Sequence, residues 1–419
     1  MAKQSNIQFT LEKQAADYFD WITFFLTTLL VAAGLISIYS ATYDSGMSIF
    51  FSRQVMYTAV GFAAMFAFMF APERWIYVNS LPIYIITLLL LLLVFPFGKE
   101  IYGTKGWIDT PFMRLQPSEF AKFSTLLMIA NHLSKKGTDI RTIRDLAIVG
   151  AYIALPTILI VIEPDIGSAS VIGALTLGIL LWTGFDVFTL FFVVSLPIVI
   201  IASIISVYSF VASISLFSII SAFFRKRVAV TIAAIAIVGA AGYSSPKIVE
   251  HLAPHQQGRI QTFLNPGNDP RGKGYNVIQS ILAVGSGGIA GKGFLQGTQT
   301  QLRYIPKQWT DFIFCVPTEE FGFIGGSAVI LLLAGLIYRS VNLASEAPSP
   351  FMSIICVGVG TIFFYHTVIN IGMAIGMMPV MGIPLPFLSA GGSSLVVNMS
   401  MVGLLLNSFR AQRKKMYNS

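Results

Sequence analysis

From residue 21 to residue 409 the chain is a succession of apolar runs, separated by short polar or glycine-rich breaks. The runs are continuous for about 17 to 25 residues, the length a helix needs to cross the hydrocarbon core of a bilayer, and they lack the alternation of barrel strands. This feature dictates an all-α polytopic membrane protein. With 55% hydrophobic and 11% charged residues and a mean hydropathy of +0.75, the 419 residues cannot be read as a string of soluble domains. The net charge of +8 comes from 27 Lys and Arg that form no long tract, which argues against a nucleic-acid partner. They cluster at span ends and therefore set topology. The two cysteines, Cys315 and Cys356, lie in apolar segments and offer neither a disulfide framework nor a metal cluster.

Residues 1–20 read as a polar cytoplasmic tail and 21–41 as a retained signal anchor. Spans follow at 54–71, 76–96, 118–134, 146–162 and 167–184. The apolar run 187–222 is too long for one span and ends at the basic Arg225-Lys226-Arg227, so it must leave and return. A span at 228–243 closes the first membrane region, 21–245, and leads into a large loop, 246–311. Spans at 312–338, 351–375 and 394–409 make up the second region, 312–409, ahead of a basic tail, 410–419. The bundle thus has ten core transmembrane helices plus an extra hydrophobic hairpin, or twelve spans if both arms of the hairpin cross. Lys135, Lys136, Arg141 and Arg144 in one loop, and Arg410, Arg413, Lys414 and Lys415 in the tail, put both termini in the cytoplasm. The Gly98–Pro117 loop, the Glu119 end of the fourth span, Glu163-Pro164-Asp165 and the large loop are then extracytoplasmic.

The stretch from Arg259 to Asp311 is where glycine-rich polar chain replaces apolar helix, and ten of the 36 glycines fall between Pro246 and Asp311. A loop of that length between spans is usually functional. Asp311 ends it, and two roles fit: a cap, shared with Thr310, for a helix starting at Phe312, or a general base at the lipid surface. The run from Gly285 to Gly293 fits a nucleotide motif only loosely and lacks the flanking strand and helix, so its glycines read as tight turns and close backbone approach. Upstream, Val277, Ile278, Ile281 and Leu282 share one helical face opposite Asn276, Gln279 and Ser280, the pattern of an interfacial helix. Glu119 and Lys122 are three apart at the start of a span and must pair or face a wet cavity. With Arg53 and Arg114 they bring three cations to the outer side, which suits a departing diphosphate. Glu319 and Glu320 read as structural partners or as lining a cavity. His366 and Asn370, at i and i+4, read as an interhelical hydrogen-bonding pair.

Leu115-Gln116-Pro117-Ser118-Glu119-Phe120-Ala121-Lys122, Glu163-Pro164-Asp165-Ile166-Gly167-Ser168-Ala169, Gly272-Lys273-Gly274-Tyr275-Asn276 and Gly293-Phe294-Leu295-Gln296-Gly297-Thr298-Gln299 together resemble the SEDS family (shape, elongation, division and sporulation). Thr310-Asp311-Phe312-Ile313-Phe314 and the run from Pro384 to Ser394 complete the pattern over nearly the whole chain, and Gly297-Thr298-Gln299 with Gly382-Ile383-Pro384-Leu385-Pro386 looks more like the elongation branch, RodA, than FtsW. The resemblance implies a peptidoglycan glycosyltransferase of the bacterial cytoplasmic membrane that polymerises lipid II. It implies Asp311 as the catalytic carboxylate and Arg53, Arg114, Glu119 and Lys122 as cavity residues, with Gln116, Thr310 and Ser393 in support. It also implies a divalent cation, Mg2+ or Mn2+, of unassigned ligands, a class B penicillin-binding protein as transpeptidase partner, and other elongation-complex proteins. The sequence departs from the family pattern at Trp309, often His, at Ala390, often Tyr, and in the extra run 187–222. A lipid-linked precursor flippase and a non-catalytic scaffold are the rival readings. The concentration of charge on the outer side favours surface chemistry over transport.

Overall fold

The computed structural model describes residues 18–43, 48–101, 104–110, 114–224, 226–250, 273–306 and 308–418, with Gln257 and Phe263. Residues 1–17 of the N-terminal tail, Arg225, Arg259 and Gly272, all of which enter the sequence reading, lie outside them. The helices are α1 (Trp21–Thr42), α2 (Ser48–Phe70), α3 (Glu73–Phe97), α4 (Pro117–Leu133), α5 (Ile143–Ile162) and α6 (Ile166–Trp182). They continue as α7 (Val187–Ile205), α8 (Val207–Phe223), α9 (Val228–Glu250), α10 (Lys273–Ser286), α11 (Thr298–Gln301), α12 (Cys315–Glu320), α13 (Gly322–Ser345), α14 (Pro350–Ala374) and α15 (Gly392–Asn418). Among the described residues nine helices are long and apolar enough to cross a membrane, and α6 and α8 are shorter apolar helices. With the charged α4 they account for every span read from the sequence. The protein is a multi-pass helical membrane protein. Among the described residues the one β element is an antiparallel sheet between α3 and α4, β1 (Lys99–Ile101), β2 (Thr104–Asp109) and β3 (Arg114–Leu115), in the order β1-β2-β3.

Two compact units form. The larger comprises residues up to Ile179 and from Asn276 onward. At its centre stands α15, whose apolar window is 94% buried, against 17% in α2 and in α5. Leu81, Ile85, Ile86, Leu89 and Leu92 of α3 point outward, as lipid-facing residues do. Helices that already lie in lipid gain little from apolar burial and associate through close packing and a few polar ties. Gly403 of α15 supplies the first, since a Cβ there would lie 2.4 Å from the Met65 carbonyl of α2. Asn407 supplies the second: its Nδ2 donates to the carbonyls of Phe68 (2.8 Å), Met69 (3.1 Å) and Ala71 (2.6 Å), which have lost their helical partners at the end of α2. At 27 residues, α15 is about 40 Å long. Its start, at Ser393, bonds the Arg114 strand, and near its end Lys415 bonds the Pro348 carbonyl, beside Ser349 and its partner Glu73. The two ends of the bundle are thereby defined by contact.

The smaller unit, Leu180–Tyr275, contains α7, α8 and α9. The 187–222 run is two helices because Ser206 adopts an extended conformation and its hydroxyl caps α8 at Ser209 N (3.1 Å). Lys226, just after α8, pairs with Asp186, the N-cap of α7, at 2.6 Å, so the hairpin returns to the level it left. Phe188, Val199, Phe217, Ala234 and Val238 form its core.

Within the larger unit the chain around Asp311 differs from a continuous span. The run from Phe312 is apolar as far as Pro317 and is broken by Thr318, Glu319 and Glu320; it makes a turn and then the short α12, and the membrane helix α13 begins only at Gly322, whose φ is +65°. The glycine-rich segment packs on α12 through its backbone: a Cβ on Gly291 (φ +82°) would sit 2.1 Å from the Glu320 carbonyl, and one on Gly287 2.0 Å from that of Thr318. The close-approach reading of these glycines holds. The helix read from Val277 to Leu282 forms as α10, but its faces are reassigned. Val277, Ser280 and Ala283 are buried while Ile281 and Leu282 are exposed, because the Ser280 hydroxyl donates to the Ala374 carbonyl at 2.5 Å.

Candidate functional site

Asp311 sits in the turn between Gln308 and α12, and the N-cap of α12 is Phe314. No side chain makes a capping hydrogen bond at Phe314, so the expected cap of a helix starting at Phe312 is not formed there. What holds the turn is its backbone. Ala390 N donates to the Trp309 carbonyl (2.8 Å), Ser389 Oγ to that of Thr310 (2.7 Å) and Asn370 Nδ2 to that of Asp311 (3.0 Å). Ser389 Oγ also accepts from Leu385 N (2.8 Å), which folds the proline-rich loop 383–391 back on itself. The Asp311 side chain is half-buried and, among the described residues, has no hydrogen bond or ion pair. Burial pushes its carboxyl up to about 6. The two family departures near the site are neighbours, since Ala390 and Trp309 share a backbone bond while the buried Trp309 ring packs on Phe50 at 5.2 Å.

Glu119 and Lys122 are both 2% exposed and pair at 2.7 Å, as their spacing predicts. Lys122 Nζ also lies 3.4 Å from His366 Nε2, while His366 Nδ1 is 3.0 Å from the Pro384 carbonyl. A carbonyl only accepts, so Nδ1 carries the proton and Nε2 accepts from the ammonium. A chain of contacts thus runs from the buried ion pair to the loop that braces Asp311. Lys122→Met is expected to cost about 3–5 kcal/mol of stability because it strands Glu119 in a dry site, and Glu119→Gln with Lys122→Met together to cost less than Lys122→Met alone. Unfolding of the detergent-solubilised variants checks both statements.

Arg114 is exposed and pairs with Asp109 at 3.0 Å, which Lys99 also contacts at 2.9 Å. Its carbonyl accepts from Ser393 Oγ (3.2 Å), and the same hydroxyl accepts from Gln116 N (3.0 Å). The Gln116 side chain turns instead to Asp165 (3.4 Å), where Ser118 Oγ (3.2 Å) and Ser168 N (3.0 Å) also donate. Nearby Glu163 is buried with neither carboxyl oxygen bonded, and burial, then Asp165, pushes it up to about 8. Arg53 is exposed on α2, one residue before Gln54, whose Oε1 accepts from Gly391 N (3.1 Å). The structure therefore ties Arg114, Gln116 and Ser393 together and joins Lys122 to the Asp311 loop, while among the described residues Arg53 is linked to the others only through its helix.

One centre was only half legible. Glu319 is fully buried and accepts from Lys292 Nζ (2.7 Å), Gln299 N (2.8 Å), Thr300 N (2.9 Å), Thr300 Oγ1 (2.7 Å) and Thr298 Oγ1 (3.3 Å). Burial disfavours the charge, but these donors outweigh it and hold the carboxyl below its usual range. From the turn it anchors, the Thr300 carbonyl accepts from Gln308 Nε2 (2.8 Å), next to the Asp311 turn. Glu320 accepts from Ser40 and from Leu295 N (3.2 Å), leaving one oxygen unbonded, and burial raises it. Both glutamates are structural partners of the glycine-rich segment. Among the described residues no group of three or more His, Cys, Asp or Glu is placed to hold a metal ion.

The site is thus a backbone-clamped acid at one end of a polytopic bundle, joined through His366 and the 383–391 loop to a buried ion pair. The cell cycle protein family of FtsW, RodA and SpoVE matches residues 20–219 and 206–414, and the chain belongs to that family. It is 33% identical to stage V sporulation protein E of Bacillus subtilis, covering 94% of this chain and 98% of that protein. To the peptidoglycan glycosyltransferase MrdB of Escherichia coli it is 31% identical, over 94% of each. Among solved structures it superposes on a chain of a peptidoglycan synthase complex that coordinates polymerization and crosslinking, with a TM-score of 0.70, 28% identity and coverage of 94% and 98%. The fold also matches RodA of Thermus thermophilus, with a TM-score of 0.62, 24% identity and coverage of 94% and 97%.

Proposed function

We propose that the protein is a peptidoglycan glycosyltransferase that polymerises lipid II, on the elongation side of its family, with Asp311 as general base. The observation that carries this reading is a carboxyl without a partner among the described residues on a backbone held at three successive carbonyls. Asp311 takes the proton from the GlcNAc 4-hydroxyl of an incoming lipid II. The oxygen attacks the anomeric carbon of the terminal MurNAc of the growing chain, the bond from that carbon to the diphosphate breaks with inversion, and undecaprenyl diphosphate leaves with the electron pair. A diphosphate is already a good leaving group, so one base suffices, unlike the two carboxyls of glycoside hydrolysis. Arg53 and Arg114, both exposed, are assigned to the departing charge, and the Glu119–Lys122 pair to the cavity beneath.

The basic 135–144 loop and C-terminal tail support a cytoplasmic assignment for their end of the bundle, which makes the Asp311 end extracytoplasmic. A divalent cation is proposed to accompany the diphosphate, since magnesium is commonly shared between carboxylates, water and phosphates. The partner is proposed to be a class B penicillin-binding protein, on the strength of the likeness to a complex that couples polymerization to crosslinking.

The test is purified protein with lipid II, with and without that partner. Glycan formed together with one undecaprenyl diphosphate per new bond supports the reading. Transfer of lipid II across a vesicle bilayer with no new bond supports a flippase instead, and neither activity from folded protein supports a scaffold.

A further inference from the structure

Asn370 lies on α14, one helical turn after His366, and is fully buried. Its Nδ2 donates twice, to the carbonyl of Asp311 at 3.0 Å and to that of Ile383 at 2.8 Å. With both hydrogens so used the amide has one orientation, because the flipped one would set its oxygen against two carbonyls. The Oδ1 atom is then left buried without a donor. An orphaned acceptor of this kind carries a desolvation cost, set against the two carbonyls that the amide satisfies and that an apolar side chain would leave unpaired. The clamp matters because among the described residues no other donor reaches the Asp311 carbonyl, and it fastens the Asp311 turn and the 383–391 loop to the same point of a membrane helix. His366 fastens the next carbonyl, Pro384, from the same face of α14 at 3.0 Å.

We propose that Asn370 is a positioning residue for Asp311: by joining the Asp311 and Ile383 carbonyls to α14 it sets the direction in which the Asp311 side chain leaves the turn. Asn370 itself touches neither substrate nor the transferred proton. The proposal rests on reading Asp311 as the base. Misplacing a reacting group by an ångström costs on the order of 100-fold in rate, so the effect belongs in kcat.

The test uses the full chain, with its transpeptidase partner, and purified lipid II as substrate. Asn370→Asp keeps the shape but exchanges two donors for acceptors facing carbonyls, and Asn370→Ala removes the clamp without repulsion. The expected result is a fall in kcat of about 10- to 100-fold, with KM within about twofold of native, in whichever variant folds, and a larger fall for Asp than for Ala when both do. A native kcat in folded protein overturns the proposal, and so does a loss in which KM rises and the unfolding midpoint drops together, since that is a structural role. An active Asp311→Asn protein would instead overturn the reading of Asp311, which separates the two failures.

Discussion

Asp311→Asn is expected to lower the rate of glycan bond formation by about 100- to 10,000-fold, the contribution of a positioned general base, while leaving lipid II affinity and the unfolding midpoint near native. The asparagine fills the same volume and cannot take a proton. The bonds that shape the turn all end on main-chain carbonyls, so they survive the change. No ion pair is lost, because the carboxyl has none among the described residues, and a neutral amide is easier to bury than a charge. Single-turnover rates beside a binding measurement on the same preparation check this. A variant within about threefold of native would remove Asp311 from the chemistry, since general-base losses are far larger.

The second large effect is expected at Glu319, and it falls on stability. Glu319→Ala takes the acceptor from Gln299 N, Thr300 N and the Thr300 hydroxyl at once and frees Lys292. Lys292 is partly exposed and can turn to solvent, whereas the inner donors cannot. The loss should therefore be about 3–5 kcal/mol. Glu319→Gln keeps one acceptor oxygen and should lose less. Because the folded carboxyl titrates below its usual value, its contribution is complete above the ordinary glutamate pKa of about 4.3 and disappears as pH falls through the lowered folded value. Hydrogen exchange at the Gln299 and Thr300 amides gives a local reading: their protection should collapse in the alanine variant while that of α15 is retained.

Much of this architecture could be read from residue order because lipid imposes it: a continuous apolar run has one solution, and the parity of Arg225–Arg227 against the 187–222 run required the hairpin that Ser206 produces. The Glu119–Lys122 pair was legible because both partners lie on one helix. The β sheet was not, since strands as short as Lys99–Ile101 and Arg114–Leu115 leave no alternation to detect. The start of α13 was only half visible: Thr318, Glu319 and Glu320 interrupt the apolar run from Phe312, but only the backbone at Gly322 shows that a new helix begins there. Glu319 could be flagged as a buried charge, but its donors lie 19 to 27 residues earlier in a loop with no periodicity. His366 and Lys122, 244 residues apart, carry no local signal of their contact. Ser280 looked like a polar-face residue because its acceptor, the Ala374 carbonyl, belongs to another part of the chain.

The most direct test of the central claim is the pH dependence of lipid II polymerisation by the native protein, followed from about pH 5 to 8 alongside the residual rate of Asp311→Asn. A base must be ionised to accept a proton, so a carboxyl raised to about 6 predicts a native rate that is level above that value and falls about tenfold per unit below it. The residual rate of the asparagine variant should show no such limb. A native rate that stays level down to pH 5, or an acid limb that persists in Asp311→Asn, would contradict the assignment of Asp311 as the base.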